Sequence, residues 1–379
     1  MSLASAFGFG RKKVRYGVVS LGDIAQEAFL PGVAHTGNSE VTAFINGDPE
    51  KARELGRRYG VEHCYGYEEY DRLLASGEID AVYIAAPNFR HAEFAIPALK
   101  SGIHVLCEKP LEVSFAKVQE IVDAAGASPA KLMVAYRLHF EPGTLDAIRR
   151  IRAGELGDLV AFTSCFGQMV DPANHRATNG ELAGPLLDMA PYPINATRYL
   201  FGEEPLEVAA AVASRHPEHG LAGMDDTVAV TLRFPGNKLA QFTVSYVTGG
   251  VDSLIVAGTK GAIHMSPAYN YHAGIEQNLV HGGTKQHETF KHVDQFGGEL
   301  RYFSDCVLND RDPEPDGEEA LADLRVIEGI WEAIRTGGAV KLPPLTRTRR
   351  IDPDAQEQRL GDPSVPDPVN ASSPAKAEH

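Results

Sequence analysis

The sequence predicts an α/β fold in two parts: an N-terminal parallel sheet wound with helices, and a C-terminal part built on a largely antiparallel sheet. Three observations carry this. The chain has 379 residues, more than one core usually organises, so two domains and a tail are expected. From Val14 to about Arg137, short apolar strands alternate with amphipathic helices, the pattern of a parallel sheet with right-handed crossovers. Further on, "TVAVTLRF" and "KLAQFTVSYV" alternate strictly and are joined by "PGN", which reads as a β-hairpin.

In the first part the strand candidates are "RYGVVS", "EVTAFI", "DAVYIAA", "GIHVLC" and "KLMVAY". Between them "DPEKARELGRRYG" and "SFAKVQEIVDAAG" read as helices, each closed by glycine, the usual helix-ending residue. In the second part "LVAFTSCFG", "LEVAAAVAS", "SLIVAG" and "AIHM" add strands to the hairpin. Such a sheet needs cover on its apolar face, and this segment offers few helices. A partner subunit is expected to supply the cover, making the protein a homo-oligomer, a dimer or tetramer. A helix from about Glu318 to Thr336 places Leu321, Leu324, Ile327, Trp331 and Ile334 on one face, a packing role. After Leu342, proline, charge and small residues dominate, too polar to bury themselves. The expected division is therefore 14–137, 138–342, and a proline-rich arm or disordered tail over 343–379.

Charge narrows the function classes. The 51 acidic residues against 36 basic ones give a net charge of -15, which repels phosphate backbones and anionic bilayers, so neither nucleic acid nor membrane is an expected partner. No apolar run approaches the ~20 residues that span a bilayer. At the N-terminus "MSLASAFGFG" precedes "RKK", the reverse of the order in a secretory signal. A cytoplasmic location is expected, or a periplasmic one if "MSL" replaces a natural leader. Cys64, Cys107, Cys165 and Cys306 lie far apart, without the close pairing of a metal knuckle or redox dithiol. They read as buried thiols, and no metal is expected.

Within "YGVVSLGDIAQEAFLPG" a strand runs into a helix through a turn that carries Ser20, Gly22 and Ala25 in the spacing of a dinucleotide fingerprint, with Asp23 and Ile24 between. Backbone amides at a helix N-terminus approach a pyrophosphate closely only where side chains are small. Ser20 stands in for the first glycine. Alone the motif is also consistent with an ordinary strand-to-helix turn; at the first turn of an alternating domain it marks a Rossmann nucleotide site. About twenty residues on, "INGDPEKAR" puts Asn46 where an acid would grip the ribose hydroxyls. Asp48 follows, and Lys51 and Arg53 bring positive charge suited to a 2'-phosphate. NADP is the expected cofactor and NAD the alternative. The competing explanation is that these charges only solvate the start of the next helix.

With the fingerprint, "APNFRHAEFAIPALKSGIHVLCEKPL", "AYRLHFEP" and "ATRYLFGEEPLEV" in hand, the sequence resembles the glucose-fructose oxidoreductase, inositol dehydrogenase and rhizopine-catabolism family, with its glucose-fructose oxidoreductase branch the nearer match. The resemblance runs from about Val14 to Leu342. It implies a Rossmann domain followed by an α/β domain with a large open sheet, and oxidation or reduction of a sugar or cyclitol carbon with NAD(P). It makes Lys109 the motif lysine and assigns Asp188 and Tyr192 to complete the site. It also places Asn88 and His91 near the cofactor; Pro87 and Glu108 are further cofactor candidates, Arg137 a substrate candidate, and Arg176 one for substrate or cofactor.

The chemistry suits these residue types. Removing hydride from a secondary alcohol or hemiacetal requires a base for the hydroxyl proton. A phenol can serve if an ammonium within a few ångströms favours its ionised form, and the same ammonium can hydrogen-bond the substrate oxygen where charge develops. Lys109, closing an apolar strand in "EKP", is expected at the carboxyl end of a parallel strand, where such folds bind ligands. Asp188 and Tyr192 are four apart, a spacing that stacks side chains on one helical face. Pro191 and Pro193 interrupt that helix and could move Tyr192. "AGP" stands for a fuller glycine run, and "NHR", Asn174 to Arg176, for a Trp-Arg pair.

Plainer roles stay open. Lys109 could pair with Glu108 at the surface, Tyr192 could be an ordinary half-buried tyrosine, Asn88 a helix cap and His91 packing. Arg137 could bind substrate or brace Glu108, and Arg176 could be a solvated loop charge. The expected function is an NADP-dependent sugar oxidoreductase acting on the anomeric or a ring carbon of an aldose, possible as aldose-to-sugar transfer with nucleotide that never leaves. The alternatives are a cyclitol dehydrogenase with dissociable nucleotide, a nucleotide-sensing regulator, and a redox-assisted glycoside hydrolase.

Overall fold

The computed structural model describes residues 12–374 except Ala222, Thr348 and Ser372. The "MSLASAFGFG" segment lies outside the described residues. Strands β1 (Val14–Val19), β2 (Ser39–Ile45), β3 (His63–Tyr65), β4 (Ala81–Ile84), β5 (His104–Glu108) and β6 (Leu132–Ala135) form a six-stranded sheet in the order β3-β2-β1-β4-β5-β6. Every pairing in it is parallel. Order reverses beside β1, so the ends of β1 and β4 border the crevice in which such sheets take ligands. β1 and β4 are buried on both faces almost throughout, which is why they read as unbroken apolar runs.

The second sheet has nine strands: β7 (Leu159–Met169), β8 (Glu207–Ser214), β9 (Thr227–Arg233), β10 (Leu239–Ser245), β11 (Val247–Gly258), β12 (Gly261–Met265), β13 (Glu276–His281), β14 (Thr284–Thr289) and β15 (Val340–Lys341). Their order is β14-β13-β12-β11-β7-β10-β9-β8-β15, antiparallel except where β10 runs beside β7. The "PGN" hairpin joins β9 to β10 as expected, with Leu239 opposite Arg233. β3, β13, β14 and β15 are additions to the strands expected from sequence.

One face of this sheet is covered from within the chain. Helices Pro191–Phe201 and Gly317–Thr336 lie on it, and the latter also touches β6 and helix Phe115–Gly126 of the first sheet. Asp316 caps Gly317–Thr336 by accepting from Glu319 N at 3.1 Å, and Gly337 ends it at φ 67°, a left-handed turn that glycine takes without strain. Leu321, Leu324 and Ile327 are buried as expected, each contributing roughly 2 kcal/mol by leaving water. Trp331 corrects the expectation. It is 36% exposed, while Val326, Ile330 and Ala333 are the buried residues of that stretch.

The chain after Leu342 is laid against the body. Arg347, its side chain fully buried, reaches Asp316 at 2.7 Å and Glu319 at 3.0 Å, and Ile351, Gln356 and Val369 are buried. No helix among the described residues is long and apolar enough to cross a membrane.

Candidate active site

The turn after β1 has the shape its sequence suggests. Ser20 takes a φ of 71°, the left-handed region where the usual residue is glycine, and its N–H donates to Ile45 O at 2.8 Å. A Cβ placed on Gly22 would meet nothing within 4 Å. That open space faces the start of a helix, where Asp23 and Ile24 lie half-buried and Ala25 is buried, so first-turn amides without helical acceptors point to it. The donor set fits a pyrophosphate.

Asn46, at the expected acid position, is buried and committed to this turn. Its Oδ1 accepts from Leu21 N at 3.1 Å and its Nδ2 donates to Asp48 O at 3.1 Å. It therefore shapes the loop rather than presenting its amide to a ribose. Asp48 caps the next helix, accepting from Glu50 N and Lys51 N. Lys51 Nζ donates to Asn370 O at 2.9 Å, and burial lowers its pKa against the pull of Asp48 and Asp23. Arg53 lines a separate groove of about 740 Å³ with Arg57, Cys64 and Glu68.

Pro87 and Asn88 follow β4 beside the same turn, half-buried, with Arg90 N donating to Pro87 O. His91 corrects the expectation of a cofactor contact. It is completely buried, with Nδ1 3.0 Å from Pro110 O and Nε2 2.8 Å from Ala86 O, so it braces two loops and offers a ligand nothing. Burial pushes its pKa down to about 4. Glu108 likewise faces protein. Its Oε1 accepts from Tyr83 at 2.7 Å, and burial raises its pKa despite that bond and the nearby Lys109.

Lys109 leaves the end of β5 and crosses to the second part of the molecule. Its Nζ donates to Asp188 O at 2.7 Å, lies 3.4 Å from Asp188 Oδ1, and stands 4.6 Å from the ring centroid of Tyr192. The surface pairing with Glu108 does not form. Asp188 Oδ2 accepts from Tyr246 at 3.0 Å and lies 3.6 Å from Arg176 Nε. Burial would raise the Asp188 pKa, but Arg176, Lys109 and the Tyr246 hydroxyl together bring it down to about 2. It is a carboxylate throughout the neutral range.

The helix geometry differs from the expected one. Asp188 ends a short turn, Pro185–Asp188, and Tyr192 belongs to a second helix, Pro191–Phe201. The two do not share one continuous helical face. Pro191 starts the helix and Pro193 lies in its first turn, where no intrahelical amide is needed, so the prolines set its entry instead of breaking it. Tyr192 then packs edge-on to Phe166, with centroids 5.4 Å apart.

Arg137 also corrects an expectation, since its guanidinium is spent on protein. It donates to Gln295 Oε1 at 2.6 Å and to Tyr269 O, and stands 5.0 Å from the Tyr192 centroid and 4.9 Å from that of Tyr271. Tyr192 thus has two cations against its ring. Beneath it a cavity of about 10 Å³, lined by Lys109, Tyr136, Arg137 and Asn195 among others, has room for one water. Sequence reasoning missed Tyr246, Tyr271 and Gln295. Only Tyr246 carried a signal, as the inward-facing end of the alternating "TVSYV".

Comparison with known proteins decides the lineage of this arrangement. Residues 14–136 match the profile of an oxidoreductase family with an NAD-binding Rossmann fold, and residues 144–264 that of the GFO/IDH/MocA C-terminal domain. The chain belongs to the GFO/IDH/MocA family. Its Rossmann domain binds a nicotinamide nucleotide, and the protein is an oxidoreductase. Among relatives in the family, a D-xylose 1-dehydrogenase [NADP(+)] of Haloarcula marismortui is 32% identical over 87% of this chain and 93% of its own length. A trans-1,2-dihydrobenzene-1,2-diol dehydrogenase of Sus scrofa is 31% identical over 87% of this chain and 98% of its own. The crystal structure of an aldose-aldose oxidoreductase from Caulobacter crescentus, complexed with glycerol, superposes with a TM-score of 0.82 at 34% identity, covering 87% of this chain and all of that one.

Proposed function

We propose that the protein is an NADP-dependent sugar oxidoreductase, taking hydride from the anomeric or a ring carbon of an aldose. The observation that carries this reading is the meeting of Lys109, at the end of β5, with Asp188 and Tyr192 from one distant stretch of the chain, the Lys109 ammonium lying against both. Tyr192 would accept the substrate hydroxyl proton. Lys109 would hydrogen-bond that oxygen as negative charge develops, and Asp188, kept ionised by Arg176 and Lys109, would orient a neighbouring hydroxyl. When bound, the nicotinamide accepts the hydride with its electron pair. Arg137 would support the Tyr192 ring, 5.0 Å from its centroid, instead of touching substrate. The D-xylose and aldose activities named for the relatives support a polyhydroxy substrate, and the NADP(+) named for the D-xylose relative supports NADP, with Lys51 at the start of the helix after β2 as a candidate for its 2'-phosphate.

Residues 14–137 would be the nucleotide unit, 138–342 the substrate unit and 343–379 an arm. The outer face of the second sheet supports a homo-oligomer. Thr163, Gln241, Thr231 and Ile255 adjoin one another across β7, β10, β9 and β11, and Ile255 and Leu239 are exposed, Leu239 opposite Arg233 and its ion pair with Glu207.

The test is purified protein with NADP and a panel of aldoses. Reduction of NADP by an aldose, with the lactone as product, supports the reading. Absence of turnover with every aldose, alongside turnover with a cyclitol, would replace it.

A further inference from the structure

The C-terminal arm follows a course that the chemistry above does not use. Gln356 Nε2 donates to Glu314 O at 3.0 Å and Asp294 N donates to Leu360 O at 3.0 Å, which fixes the arm to the second part of the molecule. It then reaches the first part. Arg58 donates to Asp367 O, Val369 N donates to Gln26 Oε1 at 2.7 Å, Gln26 Nε2 donates to Val369 O at 3.0 Å, and Lys51 Nζ donates to Asn370 O at 2.9 Å. The Val369 side chain is buried in the cluster that holds Leu21, Ala25 and Leu55. Further on, Asp171 N, just past β7, donates to Pro374 O at 3.1 Å, back on the second part.

These anchors are not scattered. Gln26 opens the helix after the glycine turn and also donates to Leu21 O within that turn at 2.8 Å, while Lys51 opens the helix after β2. Both sit where the pyrophosphate and the adenosine ribose of a dinucleotide lie in such a sheet. The arm therefore crosses from one part to the other at the adenosine end of the nucleotide site. Gln26 is buried, so both ends of its amide are matched by the arm and by the turn together.

We propose that the segment Asp367–Asn370 is a strap that slows release of the bound nucleotide. The strap acts by tying together the two helix starts beside the glycine turn, at Gln26 and at Lys51. This rests on the NADP reading given above.

The experiment reads nucleotide release with no sugar present. Intact chain, a chain shortened after Asp362, and the point variant Val369→Glu are each loaded with NADPH, and the loss of its fluorescence is followed after mixing with excess NADP. Release at least about tenfold faster from both variants than from the intact chain is expected. Release from the variants within about twofold of the intact chain overturns the strap. If the shortened chain does not fold, Val369→Glu decides by the same criterion. Sugar-dependent reduction is then assayed separately: its absence in the intact chain defeats the sugar reading while the release rates still judge the strap, and an intact chain that takes up no NADPH overturns both.

Discussion

The helix Pro191–Phe201 carries a different ion cluster at each end. At its far end Arg198, fully buried, is saturated: Nη1 donates to Glu319 Oε1 and Asp323 Oδ1 at 2.6 Å each, and Nε and Nη2 donate to Glu204 at 2.6 and 3.0 Å. At its near end Tyr192 lies beside Lys109, Asp188 and Arg176, whose ion contacts are looser, at 3.4 and 3.6 Å. Close mutual pairing around Arg198 fixes one arrangement, and the nearby atoms that make no hydrogen bond among the described residues, His139 Nδ1 and Glu314 Oε1 among them, are buried away from any cleft. The cluster at the cleft keeps a carboxylate ionised while its cations retain donors for a ligand. The same residue types therefore divide into structure and chemistry according to how fully they satisfy one another.

Arg198 is where the contrast breaks hardest. Arg198→Leu leaves Asp323 without its cation, and Glu204 and Glu319 with Arg350 and Arg347 respectively, an expected loss of ~3–5 kcal/mol. Urea unfolding should show a collapsed midpoint or no folded protein, and an unchanged midpoint would mean the cluster is not the fixed element described. Beside the same cluster, His139 sharpens the comparison through pH. Its Nε2 is 2.7 Å from Asn195 Oδ1, and burial holds its pKa at about 4, below the ordinary 6.5. The unfolded chain takes the proton first, so this contribution is complete above pH 6.5 and fades as pH falls toward 4. His139→Gln is expected to remove about 2 kcal/mol of the stability lost between roughly pH 7.5 and 5, read from urea midpoints at the two values. The smallest effect belongs to the cleft cluster. Tyr246→Phe deletes one hydrogen bond to Asp188, for an expected loss of about 1 kcal/mol, or roughly fivefold in kcat/KM, with unfolding unchanged.

Legibility followed period and locality. β1, β2, β4, β5 and β6 were readable because buried parallel strands are continuous apolar runs, and β9 and β10 because their alternation is strict. β14, "TKQHET", is exposed at every residue and carries no such pattern, and β3 is three residues long. Lys109, Asp188 and Tyr192 were reached through family resemblance and strand-end chemistry, not through any local period. His91 and Arg137 look the same in sequence whether they face a ligand or the interior, and only packing shows that both His91 nitrogens and two of the Arg137 nitrogens meet protein. The contact of Gln26 with Val369 joins residues 343 positions apart, which no local signal can announce.

The central claim is that Lys109 and Tyr192 do chemistry and not only packing. The most direct measurement is aldose-driven reduction of NADP by the intact chain, Lys109→Met and Tyr192→Phe, with NADPH binding measured alongside. Each variant is expected to lose about a hundredfold or more in kcat while binding NADPH within about threefold of the intact chain. Turnover by either variant at the rate of the intact chain would contradict the account.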